Sequence, residues 1–275
     1  MSKELVTAIK NHRLIEVTEK LTMAIKDVVN ECEIKEEELL KAISFLNEVG
    51  KKGEFHLLSD VLGVSVLVDN ITYQDDADAD TTLFNVEGPL YREEAPIQQS
   101  PGSLCELDEP GDVLFMQGKV ISAATGNPIP NALLDVWQAN AIGDYENEDE
   151  NQTDYNLRAR ILADHNGYYE FRTVVPAGYD IGKGGPVGEL MKAVGRHAMR
   201  PAHIHFKIEG ESFKTLTTQL FPPNVPWLDS DAIGAVKEPL IMKLEKVTDP
   251  VECKKRGVTT PFYICQYDFR LKEKV

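Results

Sequence analysis

Arg158-Ala159-Arg160-Ile161-Leu162-Ala163-Asp164-His165-Asn166-Gly167-Tyr168-Tyr169-Glu170-Phe171-Arg172-Thr173-Val174 is the stretch that decides the fold. Two alternating runs flank Asn166-Gly167, a dipeptide that accepts the positive φ angles of a tight strand reversal. The pattern predicts strands over residues 158–163 and 168–174, joined as a hairpin. The same grammar recurs on either side. Residues 113–120 lead into the turn Thr125-Gly126-Asn127-Pro128, and residues 133–137 follow it. Later strand candidates span residues 202–208, 216–221 and 262–269. Short strands separated by turn signals predict an antiparallel β-sandwich and not a βαβ wheel.

The chain before residue 80 has a different period. Leu5, Ile9, Leu14, Val17, Leu21, Ile25 and Val28 recur at steps of three to five, an apolar stripe for one long helix or two short ones. Residues 35–49, rich in Glu, Lys and Leu, predict a second helix stopping at Gly50. A third covers residues 54–71, nearly uncharged after Asp60 and so expected to be buried along most of its length. The polar run from Gln74 to Asp80 marks a boundary. The expected architecture is therefore mainly β: an N-terminal α-helical domain over residues 1–80, then a β-sandwich catalytic domain over residues 81–275. Asp76, Asp78, Asp80 and Glu87 fall at positions 1, 3, 5 and 12 of a calcium loop, but Thr81 stands where the sharp-turn Gly belongs. That run reads as a solvated linker.

Composition narrows the function classes. Of 275 residues, 42% are hydrophobic and 27% charged, the balance of an ordinary globular chain. The charge sum, 29 − 45 = −16, repels phosphate backbones, and no Lys/Arg cluster offsets it, so nucleic-acid binding is not expected. No apolar run approaches the ~20 residues a bilayer requires, and Met1-Ser2-Lys3-Glu4 does not open a signal peptide. Cys32, Cys105, Cys253 and Cys265 stand apart with no CxxC pair, as structural residues of a reduced protein. A cytoplasmic location without membrane attachment is the expectation.

The chemistry centres on Arg200-Pro201-Ala202-His203-Ile204-His205-Phe206-Lys207-Ile208. On a strand, Ile204, Phe206 and Ile208 face one way while His203 and His205 face the other. Two imidazoles ~6–7 Å apart on one face can turn their nitrogens onto a shared ion. Two ligand sets could complete the site. Glu209 would give His-x-His-x3-Glu, the first half of a cupin pattern suited to Fe(II) or Mn, but that pattern needs a later histidine and His205 is the last. Alternatively, Tyr145 and Tyr179 follow strand candidates in turn-like contexts. A free phenol has a pKa of ~10, so it ligates at neutral pH only where a strongly Lewis-acidic ion such as Fe(III) displaces its proton.

Several segments occur in a telling order: Asp135-Val136-Trp137-Gln138-Ala139-Asn140, Val175-Pro176-Ala177-Gly178-Tyr179, Gly195-Arg196-His197 with residues 200–206, and Leu216-Thr217-Thr218-Gln219. Leu58-Ser59-Asp60-Val61-Leu62-Gly63-Val64-Ser65 and Glu87-Gly88-Pro89-Leu90-Tyr91 precede them. With these the chain resembles, over nearly its whole length, the intradiol ring-cleaving dioxygenases of the catechol 1,2-dioxygenase group. The resemblance implies a non-haem Fe(III), Fe(3+), held by Tyr145, Tyr179, His203 and His205, with Tyr179 and His205 axial and Tyr145 and His203 equatorial. It implies that Arg200 and Gln219 are active-site residues, that Tyr179 takes part in catalysis, and that an aromatic diol or triol is cleaved with O2.

Within the group, Tyr145 to Gln152, Gly185-Pro186-Val187-Gly188-Glu189-Leu190, Ser65 to Ile71 and Leu228-Asp229-Ser230-Asp231 resemble hydroxyquinol 1,2-dioxygenases. That subgroup lines its pocket with a helix residue and an acid three positions later, here matched to Val66 and Asp69; Val86, Gly88, Pro89 and Ala232 match other wall positions. Hydroxyquinol (benzene-1,2,4-triol) is the first expectation. Catechol is the second, because Glu87-Gly88-Pro89-Leu90-Tyr91 looks more like the plain catechol enzymes. The helical part resembles the family's dimerisation region, which implies a homodimer with a lipid-like molecule held between subunits. A different class, a β-sandwich binding module with a helical oligomerisation arm, predicts a colourless, iron-free protein; the enzyme predicts a wine-red one.

Overall fold

A computed structural model describes residues 11–76, 80–259 and 261–274; Leu5, Ile9 and Asp78 lie outside them. Contacts gather into two compact units, Met1–Lys52 and Gly53–Val275. The first carries α1 (His12–Glu31) and α2 (Glu36–Lys52). The Asn11 side chain caps α1 by accepting from the Leu14 amide at 3.0 Å. Glu36, Glu37 and Glu38 open α2 and Lys51 and Lys52 close it, each charge matching the helix dipole. This helix runs through Gly50, where the sequence predicted its end. A glycine inside a helix costs about 1 kcal/mol without breaking it.

The second unit opens with α3 (Phe55–Val61) and α4 (Val64–Thr72). The single buried helix expected over residues 54–71 is instead two, bent by 81° at Leu62-Gly63, where Gly63 takes φ +71°. Nor is it mostly buried: Phe55, Leu62, Val64, Leu67, Val68 and Ile71 are all exposed. Low charge was a misleading guide to burial here. Among the described residues no single helix is long and apolar enough to cross a membrane. In the polar run beyond α4, Asp76 forms ion pairs with Lys214 at 2.7 Å and Lys272 at 3.4 Å.

The strands form a sandwich. One sheet has the order β1 (Ile97–Gln99), β5 (Arg158–Leu162), β4 (Leu133–Gln138), β9 (Ile204–Glu209), β10 (Leu216–Leu220). The other runs β11 (Glu245–Val247), β12 (Phe262–Gln266), β3 (Val113–Ser122), β6 (Tyr168–Val174), β2 (Gly102–Ser103), with β13 (Phe269–Leu271) also on β3. A small ribbon pairs β7 (Tyr179–Asp180) with β8 (Met199–Arg200). Antiparallel ladders join β4 to β5 and β9, β9 to β10, and β3 to β6. Parallel pairings, unforeseen in the sequence, add β1 to β5, β2 to β6, and β12 and β13 to β3.

The Asn166-Gly167 turn is present: the Gly167 amide donates to Asp164 O at 3.0 Å and the Asp164 amide to Tyr168 O at 2.9 Å. It does not join a hairpin. β5 pairs with β4, and β6 pairs with β3, so the turn carries the chain from one sheet to the other. Between the sheets lie Leu134, Val136, Ile161, Phe206 and Ile208 from one side and Leu114, Met116, Tyr169, Phe171 and Phe269 from the other. Because side chains alternate along a strand, the remaining residues of β4, β9 and β10 face away from this core. That outer face carries the site.

Candidate active site

Ladder register fixes one row of side chains. Arg158 stands opposite Trp137, Trp137 opposite His205, and His205 opposite Gln219, across β5, β4, β9 and β10. Trp137 stacks on His205 at 4.7 Å between centroids and 5° between planes. His203 lies just before β9 with its ring at 75° to that of His205, and the two Nε2 atoms are 3.1 Å apart. The Pro201 carbonyl lies 2.8 Å from His203 Nδ1. A carbonyl only accepts, so Nδ1 carries the hydrogen and Nε2 presents a lone pair.

The β7/β8 ribbon sets Tyr179 opposite Arg200. Gly178 permits that approach, since a Cβ there would come within 2.5 Å of the Arg200 carbonyl. The Tyr179 hydroxyl lies 3.5 Å from His203 Nε2. Tyr145, in the loop after β4, sits edge-on to Tyr179 at 5.5 Å, fully buried, and its hydroxyl has no hydrogen-bond partner. Two phenols and two imidazoles, distant along the chain, thus share one buried space. Glu209, the alternative ligand, is exposed at the far end of β9, in a separate cleft with Asp135 and Arg160. Among the described residues no group of three or more His, Cys, Asp or Glu side chains could hold a metal, and the two phenols are the oxygen donors that stand beside the imidazoles.

Electrostatics favour neutral donors. Burial, then the Arg200 charge, pushes His203 well below the usual histidine range; burial, His203 and Arg200 do the same to His205. Burial raises the Tyr179 pKa and raises that of Tyr145 well above normal. The imidazoles therefore offer lone pairs, while the phenols give up their protons only to a strong Lewis acid. An unpartnered buried hydroxyl beside two neutral imidazoles is a donor set that fits a trivalent, oxygen-seeking ion.

Arg200 is buried behind these donors. Its Nη2 donates to Gln219 Oε1 at 2.9 Å, and its Nη1 lies 3.1 Å from His203 Nε2. Gln219 Nε2 in turn donates to the Val86 carbonyl at 2.7 Å. A cavity of about 260 Å³ opens in front, reached by Tyr179, Arg200 and His205 and walled by Gly88, Pro89, Leu90 and Ile233.

Of the wall residues expected from sequence, Gly88 and Pro89 line this cavity. Val86 sits behind it through its carbonyl, and Ala232 is buried next to the lining residue Ile233. Val66 and Asp69 do not line it; Asp69 instead lies 3.5 Å from Lys237 in a smaller cleft with Tyr73, Leu83 and Phe84. Leu57 and Asp60, one helix earlier and at the same spacing of three, are on the wall. Burial raises the Asp60 pKa, partly offset by the Ser65 hydroxyl and the Arg200 charge. The signal was available, since Leu57-Leu58-Ser59-Asp60 carries the same apolar-x-x-acid pattern.

Relatives of known activity cover nearly the whole chain. A family described as catechol dioxygenase N terminus matches residues 11–80, and one described as dioxygenase matches residues 86–273. The hydroxyquinol 1,2-dioxygenase of Rhizobium sp. (strain MTP-10005) is 38% identical over 266 residues, covering 94% of this chain and 89% of the relative. Catechol 1,2-dioxygenase 2 of Acinetobacter lwoffii is 34% identical, covering 84% and 85%. Among solved structures, the hydroxyquinol 1,2-dioxygenase of Pseudomonas putida DLL-E4 superposes with a TM-score of 0.87 at 35% identity, covering 97% of this chain and 94% of that one. The catechol 1,2-dioxygenase of Acinetobacter sp. ADP1 gives 0.90 at 31% identity, covering 98% and 89%. The chain belongs to the intradiol ring-cleavage dioxygenases, the family of the catechol and hydroxyquinol 1,2-dioxygenases.

Proposed function

We propose that the chain cleaves benzene-1,2,4-triol between its adjacent hydroxyls with O2, to a hydroxymuconate/maleylacetate product, using Fe(III) held by Tyr145, Tyr179, His203 and His205. When bound, the ferric ion supplies Lewis acidity, which displaces phenol protons and draws electron density from a diol. The protein's own groups do the rest. With its proton displaced by such an ion, Tyr179 Oη would be the base placed to take a proton from one diol hydroxyl, and burial, which favours the neutral phenol, would favour that transfer. Arg200, braced by Gln219, faces the ring with a fixed positive charge that stabilises negative charge building there. Leu57, Gly88, Pro89 and Ile233 hold the ring and exclude water. Val86 and Ala232 back that wall.

The observation that carries the choice of triol is Asp60, a carboxyl on the wall of the cavity that Arg200, Tyr179 and His205 also reach. A third ring hydroxyl can donate to it, whereas catechol offers it no such donor, and sites built to bind a hydroxyl discriminate against substrates lacking it. Catechol is the second reading, favoured by the relatives of that name and by Glu87-Gly88-Pro89-Leu90-Tyr91. The test compares kcat/KM for the two substrates in wild type and Asp60→Leu. Wild type is expected to favour the triol by at least roughly tenfold, and the variant to lose that preference while keeping catechol cleavage. A wild-type preference for catechol overturns the order.

Leu14, Leu21, Met23 and Ile25 of α1 are each more than half exposed, which supports a homodimer through the N-terminal helices. Light scattering tests the dimer, and organic extraction of the purified protein tests for a held lipid.

A further inference from the structure

We propose that Asp231 is a positioning residue for the reaction: it fixes the Arg200 guanidinium toward Gln219 and the ring, and keeps it from Asp60. This rests on the active-site role proposed for Arg200. The Asp231 side chain is 1% exposed and grips the guanidinium from the side away from the donors, accepting from Nε at 3.1 Å and Nη2 at 3.3 Å. It is itself held by backbone amides, accepting from Ile233 at 3.4 Å and Ala235 at 3.0 Å. The carboxylate therefore cannot follow the arginine; the arginine must stay where the carboxylate is.

Charge makes this hold necessary. An arginine carries several rotatable bonds, and its charge is buried here. Burial opposes that charge, and the Asp231 carboxylate, hydrogen-bonded to two of its nitrogens, offsets the opposition. Asp60, on the cavity wall, already feels the Arg200 charge and would be its next partner. An Arg200–Asp60 pair would take the guanidinium off Gln219 and cover the carboxyl that a third ring hydroxyl needs. Asp231 thus keeps ring activation and substituent recognition on separate groups.

Asp231→Asn, Asp231→Glu, Arg200→Ala and the Arg200→Ala/Asp231→Asn double variant of the iron-loaded enzyme test this. Asp231→Asn is expected to lower kcat about 10- to 100-fold with KM, iron content and visible absorption nearly unchanged, and Asp231→Glu to recover much of the loss. The double variant should be no slower than Arg200→Ala alone, because Asp231 acts through that side chain. A crystal structure of Asp231→Asn should show the guanidinium withdrawn from Gln219. An unmoved guanidinium, an unchanged kcat, additive losses, or loss of iron together with activity each overturn the proposal. The position of the guanidinium is read without turnover, so a wild-type protein inactive on diols refutes the proposed function alone.

Discussion

At the residue scale, Arg158 shows how a buried charge shapes a site it does not enter. Its Nε donates to Glu146 at 2.6 Å, both side chains being 1% exposed, and its Nη2 donates to Asn147 at 3.2 Å. Its Nη1 donates to the Leu90 carbonyl at 2.6 Å, and the guanidinium sits 5.5 Å from the centre of the Tyr145 ring. One side chain thereby ties the segment bearing Tyr145 to the cavity wall at Leu90. Arg158→Met leaves Glu146 with Arg92 as its remaining ion-pair partner and is expected to cost about 3 kcal/mol, read as a lowered melting temperature. An unchanged melting temperature contradicts this account. Arg158 belongs to no motif, and Asp231 was visible only as part of a matched segment. His203 and His205 were legible because a two-residue strand repeat puts both on one face. Asp60 was not separated from Asp69 because both follow an apolar residue by three.

At the scale of elements, local chemistry foretold reversals and strands better than partnerships. β6 has the predicted bounds, and β3, β4, β5 and β10 come within two residues of theirs. The predicted strand over 202–208 begins only at Ile204; just before it, His203 Nδ1 lies 2.8 Å from the Pro201 carbonyl. The stretch 262–269 splits into β12 and β13 around Tyr267-Asp268. Asn166-Gly167 specifies a tight reversal, but whether the arms pair depends on competing ladders far along the chain. β3 and β4 take those edges. The parallel edge strands are short and far in sequence from their partners, so no turn announces them.

For the whole molecule, acid titration separates a buried carboxyl from the general surface charge. Asp135 on β4 accepts from the Tyr91 hydroxyl at 2.9 Å, and burial pushes its pKa from 3.8 up to about 6. The folded chain therefore binds this proton more tightly than the unfolded chain. Its stabilising contribution is full below about pH 4 and lost as pH rises through 6. Between those limits Asp135→Asn should lose less stability than wild type, measured as melting temperature against pH; parallel curves contradict the assignment. In the proposed metal site four donors, two on loop and ribbon and two on or beside β9, converge on one ion. Iron content and visible absorption of the purified protein test that convergence most directly. Stoichiometric iron and a broad tyrosinate-to-iron band, bleached in Tyr145→Phe and Tyr179→Phe, are expected. A colourless, iron-free protein that still cleaves aromatic diols would contradict it.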